Sequence, residues 1–166
     1  MKTHSRDKPV RHRENLPAHG GANRADIPVA LTAVLADMVA LYRKTKTFHC
    51  HVSGDYDLLL NDQAAQIFGT TDRIAERLHK LGRPTIKSFA PIGRHGQVGD
   101  DGADAVAPRD LLAELREDNR LVAWEMQKTH KLCDERGDVA SAGLIEAWID
   151  EAKGRASVLL ETAQPG

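Results

Sequence analysis

Four stretches of this sequence place apolar residues at helical spacing, in two pairs divided by a Pro- and Gly-rich break. The first stretch starts near Asp26, a fitting N-cap, and Pro28 is tolerated in its first turn. Leu31, Val34, Leu35, Met38, Leu41 and Tyr42 follow at steps of one, three and four residues. That pattern continues through Phe48 to Val52 and stops at Ser53-Gly54. The second stretch spans about Tyr56 to Leu81, with Leu59, Leu60, Ala64, Ile67, Phe68, Ile74, Ala75 and Leu78 as its apolar marks. Gly82 follows as a C-terminal cap. So short a turn between two long helices predicts an antiparallel hairpin.

Residues 83–107 contain Pro84, Pro91 and several glycines. Ile86, Phe89 and Ile92 mark one short helical turn inside this connection. The third helix opens at Pro108 and runs to about Arg136, carrying Leu111, Leu112, Leu115, Leu121, Val122, Met126 and Leu132. Gly137 closes it, and Asp138 suits the N-cap of a fourth helix. That helix runs to about Thr162, with Leu144, Ile145, Trp148, Ile149, Ala152, Leu159 and Leu160 expected inside. A connection as long as residues 83–107 is unusual between neighbouring helices. It fits a crossover between two hairpins. The expected fold is therefore all-α, a ferritin-like four-helix bundle with a long central crossover that contains a short helix.

Composition agrees with helix. Aromatics make up 4% of the chain and charged residues 28%, while Val and Ile are too sparse to furnish many strands. A length of 166 residues suits one compact domain. Residues 26–166 are assigned to it, and residues 1–25 to a flexible basic arm. Lys2, Arg6, Lys8, Arg11, Arg13 and Arg24 stand against Asp7 and Glu14. That gives +4 over residues 1–24 and leaves −5 of the total −1 for the rest. The arm is either a solubilising tail or a nucleic-acid arm whose cations pair with phosphates. No apolar run approaches the roughly 18 residues that span a bilayer. With no apolar signal core at the N-terminus, the expected compartment is the cytoplasm, with no membrane partner. Cys50 and Cys133 form no C-x-x-C pattern, which speaks against a disulfide framework or a cysteine zinc site.

Asp72 and Glu76 lie four residues apart, hence on one face of the second helix. Two carboxylates so placed serve a hard cation such as iron or simply face solvent. His49 and His51 flank Cys50, and a spacing of two turns their side chains to different sides of a helix. Glu76 and His79 form an E-x-x-H pair of the kind found in di-iron bundles. A second such pair is missing, so an ordinary di-iron centre within one subunit is not expected.

The segments LYRKTKTFHCHVSG (Leu41–Gly54) and DYDLLLNDQAAQIFGTTDRIAERLHKLG (Asp55–Gly82) resemble the Dps family of mini-ferritins. LLAELREDN (Leu111–Asn119) and LCDERGDVASAGLIEAWIDEA (Leu132–Ala152) agree with it, as does the helix order. The resemblance covers about residues 28–162. It implies a hollow dodecamer that oxidises iron(II), preferably with hydrogen peroxide, and stores ferric iron inside. It also implies an iron site across a two-fold interface, with histidines from one subunit and an aspartate and a glutamate from its neighbour. Carried over by position, the ligands are His49, Asp72 and Glu76. Asp57 stands where the family has its second histidine and becomes the fourth candidate ligand.

Other departures accompany Asp57. Gly54 runs directly into Asp55-Tyr56-Asp57, without the family's intervening stretch, and that shortened turn puts the reach of Asp57 in question. Cys50 replaces a tryptophan, and Ala156-Ser157-Val158 stand where bulky aromatics are common. His79 is a second candidate to supply the missing imidazole. Asp134 and Asp138 match the acidic pore stretch near the fourth helix, and Asp138 is equally explained as a helix cap. The expected activity is that of a ferroxidase protecting nucleoid DNA, with iron as its metal. Lys2, Arg6, Lys8, Arg11 and Arg13 of the arm would hold DNA non-specifically. The alternative is a DNA-condensing or structural assembly whose oxidation centre has degenerated. A bundle that binds a partner through its helix faces is a third reading.

Overall fold

The computed structural model describes residues 26–83 and 107–163. It contains four helices: α1 (Asp26–His49), α2 (Asp55–Lys80), α3 (Pro108–Glu135) and α4 (Val139–Ala163). No strand occurs among the described residues. Two of the expected glycine stops have full hydrogen-bonded form. At the end of α2, Arg83 N–H donates to the Leu78 carbonyl at 3.1 Å and Gly82 N–H to that of His79 at 2.9 Å. At the end of α3, Asp138 N–H donates to Cys133 at 2.9 Å and Gly137 N–H to Asp134 at 3.1 Å. Both are Schellman closures, which need a left-handed residue, and Gly82 and Gly137 supply it with φ of 83° and 67°.

The helix directions follow from contacts at their ends. Arg136, just beyond α3, bonds Asp26 at the start of α1 at 3.1 Å. Lys44, late in α1, reaches Glu114 and Asp118, early in α3. These two helices are therefore antiparallel. On the opposite side, Gln63 meets the Arg155 carbonyl, Arg73 meets Glu151 and Arg77 meets Asp138, so α2 and α4 are antiparallel too. With α1 and α2 joined as a hairpin, α2 and α3 must run parallel. A parallel pair of helices about 39 Å long cannot be linked by a tight turn. The long connection is thus a crossover, as the sequence predicts. The short helix expected within it and the basic arm lie outside the described residues.

The core is a single apolar cluster that includes Leu31, Leu35, Met38, Leu60, Ile67, Leu112, Met126, Ile145 and Trp148. Three of the apolar residues that mark the helices, two of them expected inside, are exposed. Phe68, Leu144 and Leu160 are 46%, 38% and 41% exposed. Periodicity marks an apolar stripe, but the stripe here is wider than the face one subunit can cover. Phe68 still packs its ring 5.5 Å from that of Tyr42. Two boundaries also move. Asp26 lies within α1, not before it, with its carboxylate on Arg136. At the other end α1 stops at His49, short of Val52. Cys50 and His51 are held by tighter bonds to Thr47 and Phe48, and Gly54 then turns the chain with a φ of 66°.

Candidate metal centre

The α1–α2 turn brings the first two candidate ligands together. His49 is the last residue of α1 and Asp57 the third of α2. His49 Nε2 lies 2.9 Å from Asp57 Oδ1, with the imidazole 22% and the carboxylate 53% exposed. The shortened turn keeps Asp57 beside His49. An acid in the first turn of a helix is favoured by the helix dipole.

Asp72 and Glu76 lie further along α2, both exposed. Fifteen residues separate Asp57 from Asp72, which is about 22 Å of helix. No metal ion bridges that distance. Accordingly, no group of three His, Cys, Asp or Glu side chains is assembled among the described residues of one subunit. Leu58, Ala65 and Asp72 follow at steps of seven, Glu76 four residues later, so they share one face of α2. Every one of them is exposed, as are Phe68 and His79 beside them.

His51 bonds back to α1, its Nδ1 lying 2.8 Å from the Thr47 carbonyl. Cys50 is an exposed free thiol between them. Asp134 is exposed and meets His130 at 3.2 Å. Asp138 is a cap and more. Its Oδ1 accepts from the Ser141 N–H at 3.1 Å and its Oδ2 from the Ser141 hydroxyl at 2.7 Å. Arg77 adds an ion pair at 2.8 Å. Burial opposes the charge, but the Ser141 bonds and Arg77 outweigh it and hold the carboxyl below its ordinary range. In the subunit its carboxylate faces inward, so of the two candidate pore acids only Asp134 is open to solvent.

Sequence reasoning missed a buried polar layer. Lys44 is 4% exposed between Glu114 and Asp118. Burial works against its charge, yet the two carboxylates raise its pKa. Arg155 is 3% exposed. Its Nε donates to Asn119 Oδ1 at 2.8 Å, and burial pushes its pKa down to about 10. Glu151 accepts both Arg73 and the Thr70 hydroxyl across the α2–α4 seam. The available signal was charge at positions in phase with the apolar stripe, as Lys44 is with Leu41 and Phe48. Cys133 is buried, and desolvation followed by Asp138 and Asp134 raises its thiol to about 11, which leaves it unreactive.

Three comparisons bear on this arrangement. The family model described as a ferritin-like domain matches residues 29–162. DNA protection during starvation protein 1 of Deinococcus radiodurans is 28% identical over 118 residues, or 69% of this chain and 57% of that protein. The chain thus spans a little over half the length of that relative. The DNA protection during starvation protein of Brevibacillus brevis is 24% identical, covering 73% of this chain and 83% of that one. Among solved structures, Dps from Thermosynechococcus elongatus superposes with a TM-score of 0.81 at 21% identity, covering 87% of this chain and 94% of that one. An archaeal Dps homologue from Halobacterium salinarum gives 0.80 at 22% identity, covering 93% and 94%. Dps of Vibrio cholerae, described as a member of the ferritin-like diiron-carboxylate superfamily, gives 0.78 at 18%, covering 86% and 91%.

Proposed function

Because this chain belongs to the ferritin-like family, on its Dps branch, we propose that it is a mini-ferritin that oxidises iron(II) and stores the ferric product. The observation that carries this reading is the division of the ligands. His49 and Asp57 stand at one end of α2, and Asp72 and Glu76 stand about 22 Å away on one exposed face. Antiparallel pairing of that face with a second copy superimposes the two ends. The midpoint between Asp57 and the Asp72–Glu76 pair falls near Ala65, an exposed small residue that permits close approach. Leu58 and Phe68, 65% and 46% exposed, flank it and supply apolar area to bury. Two equivalent centres result, each with His49 from one copy and Asp72 and Glu76 from the other. Asp57 stands beside each His49 as the fourth member.

Iron is the substrate of these centres. Two iron(II) ions give one electron each to hydrogen peroxide, which takes up two protons and leaves as two waters. Carboxylates suit hard iron and favour the ferric state, and the imidazole adds a nitrogen donor. The closed assembly expected of this family is a hollow dodecamer able to hold the product. Removing peroxide and iron(II) together suppresses radical chemistry beside DNA, which agrees with a nucleoid location. No helix among the described residues is long and apolar enough to cross a membrane. Lys2, Arg6, Lys8, Arg11 and Arg13 are proposed to contact phosphates, with many arms on one shell acting together. Deleting residues 1–25 is then expected to remove salt-sensitive retention of DNA in a gel shift, and equal retention leaves the arm a tail.

Stopped-flow absorbance of ferric product with peroxide and limiting iron tests the centre. His49→Ala and Glu76→Ala are each expected to slow oxidation by at least about 100-fold, because losing even an outer partner of a metal ligand costs 10- to 100-fold. The assembly, read by light scattering, stays intact. Wild-type rates in both variants would sink the assignment. Two departures, Asp57 for histidine and the exposed Cys50 for tryptophan, favour a second reading, a DNA-condensing assembly without oxidase activity. Failure of the wild-type protein to consume peroxide when iron(II) is added decides for it.

A further inference from the structure

We infer that the groove between α2 and α4 binds inorganic phosphate, held by the buried Arg155 guanidinium and recognised through its O–H by Asp62. The inference does not depend on the iron centre. The groove has a volume of about 410 Å³. Asp62, Gln63 and Gln66 line it from α2, and Glu151, Gly154 and Arg155 from α4. It stays open because one wall residue has no side chain: a Cβ on Gly154 would meet nothing within 4 Å.

Arg155 supplies the reason to expect a ligand. It is 3% exposed. Its Nε has only a neutral acceptor, Asn119 Oδ1 at 2.8 Å, and its Nη1 is buried without a hydrogen-bond partner. Glu151 lies one turn before it, but both oxygens of that carboxylate go to Arg73, at 2.8 and 2.7 Å, and one also to the Thr70 hydroxyl at 3.0 Å. Burial therefore pulls the Arg155 pKa down to about 10, against the attraction of Glu151. A buried donor without an acceptor is costly, and so is a buried charge without a counter-charge. A compact oxyanion answers both needs, because a guanidinium presents N–H groups that match two phosphate oxygens. The remaining walls choose among oxyanions. The Gln63 and Gln66 amides can donate, whereas Asp62, exposed at the rim, is ionised and can only accept. Hydrogen phosphate keeps an O–H at neutral pH and can donate it to Asp62. Sulfate has the same shape but no proton, so Asp62 repels it.

Isothermal titration of the full-length protein at pH 7.5 and constant ionic strength tests this, with inorganic phosphate, sulfate and glycerol 3-phosphate as probes. Phosphate is expected to bind once per subunit. Sulfate should bind at least about 10-fold more weakly, the worth of one charge-assisted hydrogen bond. Glycerol 3-phosphate, mostly a proton-free dianion at this pH, should bind as poorly as sulfate. Arg155→Met is expected to abolish binding. Gly154→Leu should do the same by filling the groove from an exposed position of α4, and it keeps the test decisive if Arg155→Met does not fold. Asp62→Asn should bring sulfate and phosphate to similar affinity. Three results overturn the inference: no phosphate binding by the wild type, sulfate or glycerol 3-phosphate binding as tightly as phosphate, or phosphate binding that survives Gly154→Leu. The last would place the anion elsewhere, as on the cations of the basic arm.

Discussion

The chain turns twice between antiparallel helices, and both turns place an aspartate at the start of the next helix. After the α1–α2 turn, Asp57 meets His49 with its side chain 53% exposed. After the α3–α4 turn, Asp138 meets Arg77 and Ser141 with its side chain 8% exposed. Both acids draw on the same attraction for a helix N-terminus. They differ in how fully they are satisfied. Asp138 spends both oxygens on donors inside the subunit, Arg77 and Ser141, which also bond each other at 2.8 Å. Asp57 brings one oxygen to 2.9 Å from the His49 ring and leaves about half of its side chain in solvent. The inner turn closes the bundle, and the outer one leaves chemistry open.

That contrast breaks most readily at Asp138. Asp138→Ala removes a helix cap and strands Arg77 in a part-buried site. A loss of about 3 kcal/mol in unfolding free energy is expected, by chemical denaturation. A loss below about 1 kcal/mol would mean that solvent or a neighbouring subunit satisfies Arg77 instead. Acid sharpens the same contrast. The Asp138 carboxyl is held below its ordinary value of 3.8. Its contribution is therefore complete above that pH and disappears as pH falls through the lowered folded value. Asp138→Asn should flatten this acid limb of the stability profile, with little further change near neutrality beyond its constant offset. The smallest effect belongs to Asp57→Ala. An exposed pair contributes little, so unfolding free energy should move by no more than about 0.5 kcal/mol. A larger loss would make the α1–α2 turn a structural element like its counterpart.

Much of the fold was legible because its punctuation is local. Gly82 and Gly137 end helices by a backbone conformation that glycine alone adopts easily, and Pro108 begins one. What escaped was set by the third dimension. Leu144 and Leu160 carry the right period but sit where a lone subunit has nothing to cover them. Lys44 and Arg155 were invisible as core residues because their partners lie 70 and 36 positions away, at Glu114 and Asn119. The candidate centre was legible as residue types through family resemblance. The contact between His49 and Asp57 depended on the course of a five-residue turn, which spacing alone does not fix.

The parallel course of α2 and α3 reaches beyond architecture to the order of events in folding. Each hairpin is closed by a loop of five residues or fewer, whereas residues 81–107 must close before the hairpins can meet. Loop-closure entropy makes the longer step costlier by about 1.5 kcal/mol, roughly a twelvefold handicap in rate. Local hairpins therefore form early and their docking comes last. Arg77 with Asp138 and Lys44 with Glu114 and Asp118 belong to the docking step. Substitutions there should chiefly speed unfolding, while changes at Gly137 should slow folding itself. The buried cations that tie the halves together thus govern how long a subunit persists more than how fast it forms.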